Sequence, residues 1–212
     1  MNFKNATAYK IALTGLIAAL SYIVFSFLQI KIIIPGTPDA TSIHLGNAVC
    51  VLGALLLGGP LGGIGGAIGM TIGDLLDPVY IISAPKTFIL KFCIGLVTGI
   101  VAHKIGHLSS CKDSHTAFRW SLIAAICGLG FNVIFDPVFS YCYKLIILGK
   151  PIAELTLLPN LATTTVNAIT SVIVSTAVYN ALRPALKKAG LLPTVGEFED
   201  SNRFHTNKKS VA

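Results

Sequence analysis

The sequence predicts an all-α membrane protein, built as a bundle of six transmembrane helices with both termini in the cytoplasm. Hydrophobic residues make up 53% of the 212-residue chain and charged residues only 12%, and the mean hydropathy is +0.75. Soluble domains typically carry about 25% charged residues. Six apolar segments follow one another, and roughly 20 apolar residues suffice to cross a bilayer as a helix.

The six predicted helices occupy these apolar segments in chain order. The second and third are short, and the third is rich in glycine, with Gly65, Gly69 and Gly73 four residues apart. Small residues at this spacing let a neighbouring helix approach closely, so we expect the third helix to pack inside the bundle, with a hinge as the alternative. The segments are 8–34, 44–57, 61–76, 85–104, 118–143 and 161–182.

The polar connections and their charges indicate which way the helices run. With the N-terminus inside, the external loops are 35–41, 77–85 and 150–159, and the cytoplasmic connections are 58–60 and 103–119. Eleven of the 16 Lys and Arg residues then belong to the cytoplasmic side and five to the external side or its nearby membrane. This bias follows the positive-inside rule, so the net charge of +7 reflects topology rather than nucleic-acid binding.

One membrane domain is predicted at 1–192, followed by a polar cytoplasmic tail at 193–212 that we predict to be disordered. A signal peptide is the alternative for the N-terminus, because Lys4 and Lys10 precede an apolar run. That run continues past Phe25, which is too long for a signal peptide, so we expect a retained first helix.

Polar side chains within the apolar segments carry the clearest functional signal, because the topology places them toward the external ends of the helices. Asp74 and Asp77 are three residues apart, and Asn160, Thr164 and Asn167 follow helical spacing, so each set occupies one helix face. An ionisable residue in hydrocarbon is costly and usually functional. We predict a substrate pocket open to the outside, lined by His44, Asn47, Asp74, Asp77, Tyr80, Lys91, Asn132, Asp136, Asn160, Thr164 and Asn167.

Lys91 and Asp136 are predicted to meet within this pocket. Lys91 follows Pro85 by six residues, which is roughly 9 Å along the fourth helix, and Asp136 lies about as deep in the fifth. The alternatives are that Lys91 snorkels to the interface, as we expect of Lys86, and that Asp136-Pro137 marks a helix end.

Enzymatic motifs are missing from the sequence. HExxH and GxSxG do not occur, and Gly149-Lys150-Pro151 is not a phosphate loop, because Ser or Thr should follow the lysine. The five cysteines form no CxxC pair and show no metal-ligand spacing. We predict no catalytic residue, no cofactor and no metal, so any ATPase that drives transport must be a separate chain.

Several motifs resemble one family of membrane proteins. They are ALTGLIAAL at 12–20, HLGN at 44–47, LLLGGPLGG at 55–63, Gly73-Asp74 and PKTFILK at 85–91. Together they are similar to the substrate-binding S component of an energy-coupling factor (ECF) vitamin transporter, in its riboflavin-type branch. The resemblance implies a six-helix bundle and a vitamin site near the outer face, capped by the loop between the first two helices.

The resemblance also implies partners and a location. An Ala-x-x-x-Ala stripe on the first helix of such proteins docks on a transmembrane coupling subunit, which carries two ATPase subunits. Here the stripe comprises Ala12, Gly15 and Ala19, with Gly15 at the position of the first expected alanine. A multi-pass protein of the bacterial plasma membrane is implied.

The substrate expected from the residues is a flat, water-soluble heterocycle, because both charge signs, amides and aromatic rings share one level. The rings are Tyr80, Phe88, Phe135 and Tyr141. Riboflavin comes first, then a pyridoxine-like or pyrimidine vitamin precursor. The alternatives are a stand-alone secondary transporter or channel that uses the intramembrane charges, and a membrane scaffold protein without a ligand.

Overall fold

The computed structural model describes residues 3–36, 39–111, 113–149 and 153–189. Over these ranges the chain forms six α-helices and one β-hairpin. In chain order they are α1 (Phe3–Phe27), β1 (Gln29–Ile33), β2 (Ala40–His44), α2 (Gly46–Leu57), α3 (Gly59–Leu75), α4 (Ala84–Gly99), α5 (Ser114–Cys142) and α6 (Leu157–Lys188). Helices α4 and α5 each continue as a π-helical turn, Ile100–Ile105 and Tyr143–Ile147. The predicted tail at 193–212 lies outside the described residues.

The first predicted helix, 8–34, is wrong at its C-terminal end. The helix stops at Phe27, and Gln29–Ile33 forms a strand that pairs antiparallel with Ala40–His44, so that Gln29 faces His44. The sequence of β1 is rich in isoleucine, a β-branched residue that favours strands over helices. The second predicted segment begins at His44, two residues too early. In the structure this residue ends β2, and α2 starts at Gly46.

Helix α2 forms the centre of the bundle and packs against α1, α3, α4 and α6. Its residues Cys50, Val51, Ala54 and Leu55 have essentially no exposed surface. Small hydroxyl side chains, among them Ser21, Thr98 and Ser171, are also fully buried in the bundle. The end beneath the β-hairpin contains the site described below.

Close approach between α1 and α3 depends on glycine, as the four-residue spacing of glycines in the third helix predicted. A Cβ atom at Gly69 would lie 2.2 Å from the carbonyl oxygen of Ala18 in α1. At Gly95 in α4 it would lie 2.2 Å from the Cα atom of Gly63 in α3. No side chain can be accommodated at such distances, so α3 contacts both α1 and α4 backbone to backbone.

Four helical stretches of the described chain are long and apolar enough to cross a membrane, namely Ala8–Phe27, Ile81–Ile105, Ser114–Ile147 and Glu154–Lys188. Helices α2 and α3 have 12 and 17 residues, which is less than the roughly 20 that a span usually needs. The all-α membrane architecture therefore agrees with the sequence, whereas six crossings and the orientation of the termini stay predictions.

Candidate substrate-binding site

A polar cavity lies between the β-hairpin and the helical bundle. Residues from β2 and from each of the helices α2 to α6 line it, together with Phe25 at the end of α1. Its volume is about 90 Å³. The cavity therefore joins elements that are distant in sequence at one end of the molecule.

Ten of the eleven predicted pocket residues line this cavity. Eight of them have less than a tenth of their surface exposed, which is unusual for polar residues unless they are paired or functional. The ten are His44, Asn47, Asp74, Tyr80, Lys91, Asn132, Asp136, Asn160, Thr164 and Asn167.

Asp77 is the predicted pocket residue that lies elsewhere. Because α3 ends at Leu75, the three-residue spacing from Asp74 no longer places the two carboxylates on one helix face. Asp77 instead forms an ion pair with Lys31 of β1, beside a separate cleft that includes Tyr22. This ion pair ties the hairpin to the end of α3.

Asp136 is shared between two lysines of α4. Its two carboxylate oxygens lie 3.4 Å from Lys86 Nζ and 3.4 Å from Lys91 Nζ. Ser140 donates to Asp136 at 3.0 Å and accepts from Lys86 at 2.8 Å. The predicted meeting of Lys91 and Asp136 is therefore observed, and Pro137 lies inside α5 rather than at its end.

Lys86 corrects the sequence-based expectation that it snorkels to the interface. Its side chain is 16% exposed and lines the cavity beside Lys91. Five residues separate the two lysines on α4, so helical spacing does not place them on one face. Asp136, approaching from α5, brings both ammonium groups together.

The hairpin is tied to α6 by hydrogen bonds at the cavity wall. The side chain of Asn167 accepts from the backbone N–H of His44 and donates to the carbonyl of Ser42, both at 2.9 Å. The hydroxyls of Thr41 and Thr163 lie 2.7 Å apart. The amide of Asn167 thus pairs with backbone groups of β2 in the way that a neighbouring strand would.

A further ion pair joins the hairpin connection to the end of α5. Lys144 Nζ lies 2.9 Å from Asp39 Oδ2, and both side chains are mostly buried. Sequence reasoning missed Lys144, Thr163 and Thr41. Thr163 could have been found, because it lies one helical turn before Asn167 on the polar face of α6.

Four buried side chains that line the cavity have hydrogen-bonding atoms without a partner among the described residues. These atoms are both amide atoms of Asn132, Oδ1 of Asn47, Nδ1 of His44 and the hydroxyl of Tyr80. A buried polar group without a partner is costly, and such groups cluster at functional sites. Asn132, which is completely buried, offers an NH2 donor group and a carbonyl acceptor side by side.

The aromatic lining is sparser than predicted. Phe25 and Tyr80 line the cavity, whereas Phe88 and Phe135 are 39% and 49% exposed on the outside of the bundle. Tyr141 is also outside the lining. The wall of the cavity is therefore mainly amide, hydroxyl and charged groups.

The small-residue stripe on α1 lies on the surface, away from this cavity. Ala12, Gly15 and Ala19 are all exposed, and a Cβ atom at Gly15 would have no neighbour within 4 Å. Unlike the glycines of α3, these residues are therefore not used for packing within the bundle. Within the described ranges, no three His, Cys, Asp or Glu side chains are placed to hold a metal ion.

The fold and the cavity define a class of protein. A helical membrane bundle with a concave polar site, several converging hydrogen-bonding groups and buried charges has the features of a small-solute binding protein.

Comparison with protein families identifies this chain more closely. The profile of the family "ECF-type riboflavin transporter, S component" matches residues 5–184, so the chain belongs to that family. It is thus a substrate-binding subunit of a membrane transporter and not an enzyme, and the family predicted from the sequence motifs is confirmed. Comparisons with curated proteins and with solved structures gave no match.

Proposed function

We propose that this protein captures a water-soluble vitamin at the external face of the bacterial plasma membrane and delivers it to an ATP-driven ECF module. The observation that supports this most directly is the buried cavity in which Asp136 is shared by Lys86 and Lys91 next to the unpartnered amide of Asn132. Polar groups buried without partners are complementary to a polar ligand. An extended lipid would not need them.

The proposed topology has six crossings, both termini in the cytoplasm and the hairpin outside. At the end of the bundle away from the hairpin, Arg183 donates to the carbonyl of Cys111 and is followed by Lys187 and Lys188 in the last turn of α6. Cations near this end agree with the positive-inside rule. Strand β2 leads directly into α2, which extends the reach of this short helix toward the external side.

The hairpin acts as the cap of the site in this proposal. Ligand pockets for small molecules usually measure about 300–1,000 Å³, which is more than the cavity of about 90 Å³ beneath the hairpin. A heterocyclic vitamin therefore requires the hairpin to move outward during binding. The ties that must open are those of Lys31, Thr41, Asp39 and Asn167.

Delivery requires docking on a coupling subunit, for which the exposed stripe of Ala12, Gly15 and Ala19 is suited. Two helices approach closely where both present small residues, and the open space above Gly15 leaves room for a partner helix. Because the chain has no phosphate loop, ATP hydrolysis is assigned to two separate ATPase subunits.

Two experiments test this function. Titration calorimetry of the purified chain with riboflavin, pyridoxine and hydroxymethylpyrimidine should show tight binding of at least one of them without any partner. Uptake of that vitamin by cells or vesicles should require the coupling subunit, the ATPases and ATP. Failure to bind any of the three contradicts the substrate class, and uptake by this chain alone contradicts the mechanism.

A further inference from the structure

We infer that the cavity selects vitamins without net charge and rejects their phosphorylated forms. This inference rests on the proposed function and concerns the fixed charges that the bundle places around the ligand. Those charges come from four elements of the structure, and they cancel.

Opposite charges are matched around the cavity. Lys86 and Lys91 face Asp136, and Asp74 lines the same cavity from α3. Lys144, from the end of α5, is matched by Asp39 at 2.9 Å. Three ammonium groups are thus balanced by three carboxylates.

His44 does not upset this balance. Its ring is buried against Phe25, with 4.8 Å between the ring centroids, and its Nδ1 has no partner among the described residues. A buried imidazolium would carry a second N–H donor without an acceptor, which is costly. The neutral imidazole is the form that suits this environment, so the described residues around the cavity carry no fixed net charge.

A ligand without net charge suits such a cavity. Its hydroxyl, carbonyl and ring N–H groups can pair with the open amide atoms of Asn132 and Asn47 without disturbing any ion pair. A phosphate would add about two negative charges at neutral pH. To stabilise these, Lys86 or Lys91 would have to leave Asp136, and that buried carboxylate would keep only one of its two ammonium partners.

Matched pairs of ligands test the inference on the wild-type protein. The probes are riboflavin and its 5′-phosphate, pyridoxine and its 5′-phosphate, and hydroxymethylpyrimidine and its phosphate, each titrated against the purified full-length chain at constant ionic strength. The phosphate of the vitamin that binds should bind at least about tenfold more weakly than its parent. A phosphate that binds as tightly as its parent overturns the inference but leaves vitamin binding intact. If no member of any pair binds, the proposed function and the inference both fail.

Removing one cavity charge should shift this selectivity. Asp136→Asn leaves an excess positive charge next to Lys86 and Lys91, so the difference in affinity between the parent vitamin and its phosphate should shrink. Glu154→Gln makes the same change in total charge at an exposed position away from the cavity and should keep the wild-type ratio. An unchanged ratio in the folded Asp136→Asn protein, or an equal shift in Glu154→Gln, shows that cavity charge does not set the selectivity. The wild-type comparison decides the question if Asp136→Asn does not fold.

Discussion

The hydrogen bonds of Asn167 should set how often the hairpin cap opens. Substituting Asn167→Ala removes two bonds to the hairpin, those to the N–H of His44 and to the carbonyl of Ser42, both 2.9 Å long. A typical neutral hydrogen bond contributes about 0.5–1.5 kcal/mol net, so closure of the cap should lose about 1–3 kcal/mol. That loss corresponds to a roughly 5- to 150-fold increase in the population of the open cap.

Hydrogen exchange of the hairpin amides measures this opening without any ligand. In Asn167→Ala, peptides that cover β1 and β2 should exchange faster by the same factor, while peptides from the core of α2 should not change. Thr163→Val removes one hydroxyl contact to Thr41, so its effect should be smaller, about 2- to 12-fold. A ligand bound beneath the cap should dissociate faster in the same order.

Thr165→Val is the matched control for this series. Thr165 lies on the same helix, but its hydroxyl is on the exposed face and donates to the carbonyl of Leu161 at 2.7 Å. The hairpin should exchange at the wild-type rate in this variant. Wild-type exchange in Asn167→Ala, or equal effects of Thr163→Val and Thr165→Val, would refute the assignment of these contacts as the ties that close the cap.

Three further predictions concern topology, the ion pairs and docking. In cells that express a variant whose only cysteine is Cys111, this residue should resist a membrane-impermeant thiol reagent. A cysteine-free variant with Glu154→Cys should react with it, and the opposite pattern would reverse the proposed orientation. Lys91→Ala and Asp136→Ala should each weaken vitamin binding more than tenfold, about 1.4 kcal/mol, in calorimetry. Lys91→Ala removes one of the two ammonium groups that hold Asp136, and Asp136→Ala leaves both buried lysines without this carboxylate; wild-type affinity would make the pair structural only. Gly15→Trp should abolish copurification with the coupling subunit and leave vitamin affinity intact, whereas loss of both would place the stripe inside the bundle.

Helical periodicity explains why the sequence located most of the cavity. The polar residues of α5 and α6 recur at three- or four-residue spacing, which places them on one face of a helix wherever that helix lies. A polar face must avoid lipid, so the faces converge inside the bundle. Asn132 and Asp136 on α5, and Asn160, Thr164 and Asn167 on α6, follow this rule and line one cavity.

Periodicity fails where an element ends or changes type. Apolar content extended the first predicted helix to residue 34, but isoleucine suits a strand as well as a membrane helix, and pairing with Ala40–His44 decides between them. Asp77 was assigned to the pocket by its spacing from Asp74, whereas α3 ends between the two residues. Lys31 of the hairpin then captures Asp77.

Composition, periodicity and motifs are local properties of the chain, and they were sufficient to predict the class of the protein, its apolar helices, its polar faces and its family. Helix depth predicted the pair of Lys91 and Asp136, but the tertiary fold was needed to find the other partners. Asp136 pairs with both Lys86 and Lys91, and Lys144 pairs with Asp39, across contacts that join helices and loops distant in the chain. The strength of an ion pair depends on distance and burial, and neither is encoded in the spacing of residues along one helix.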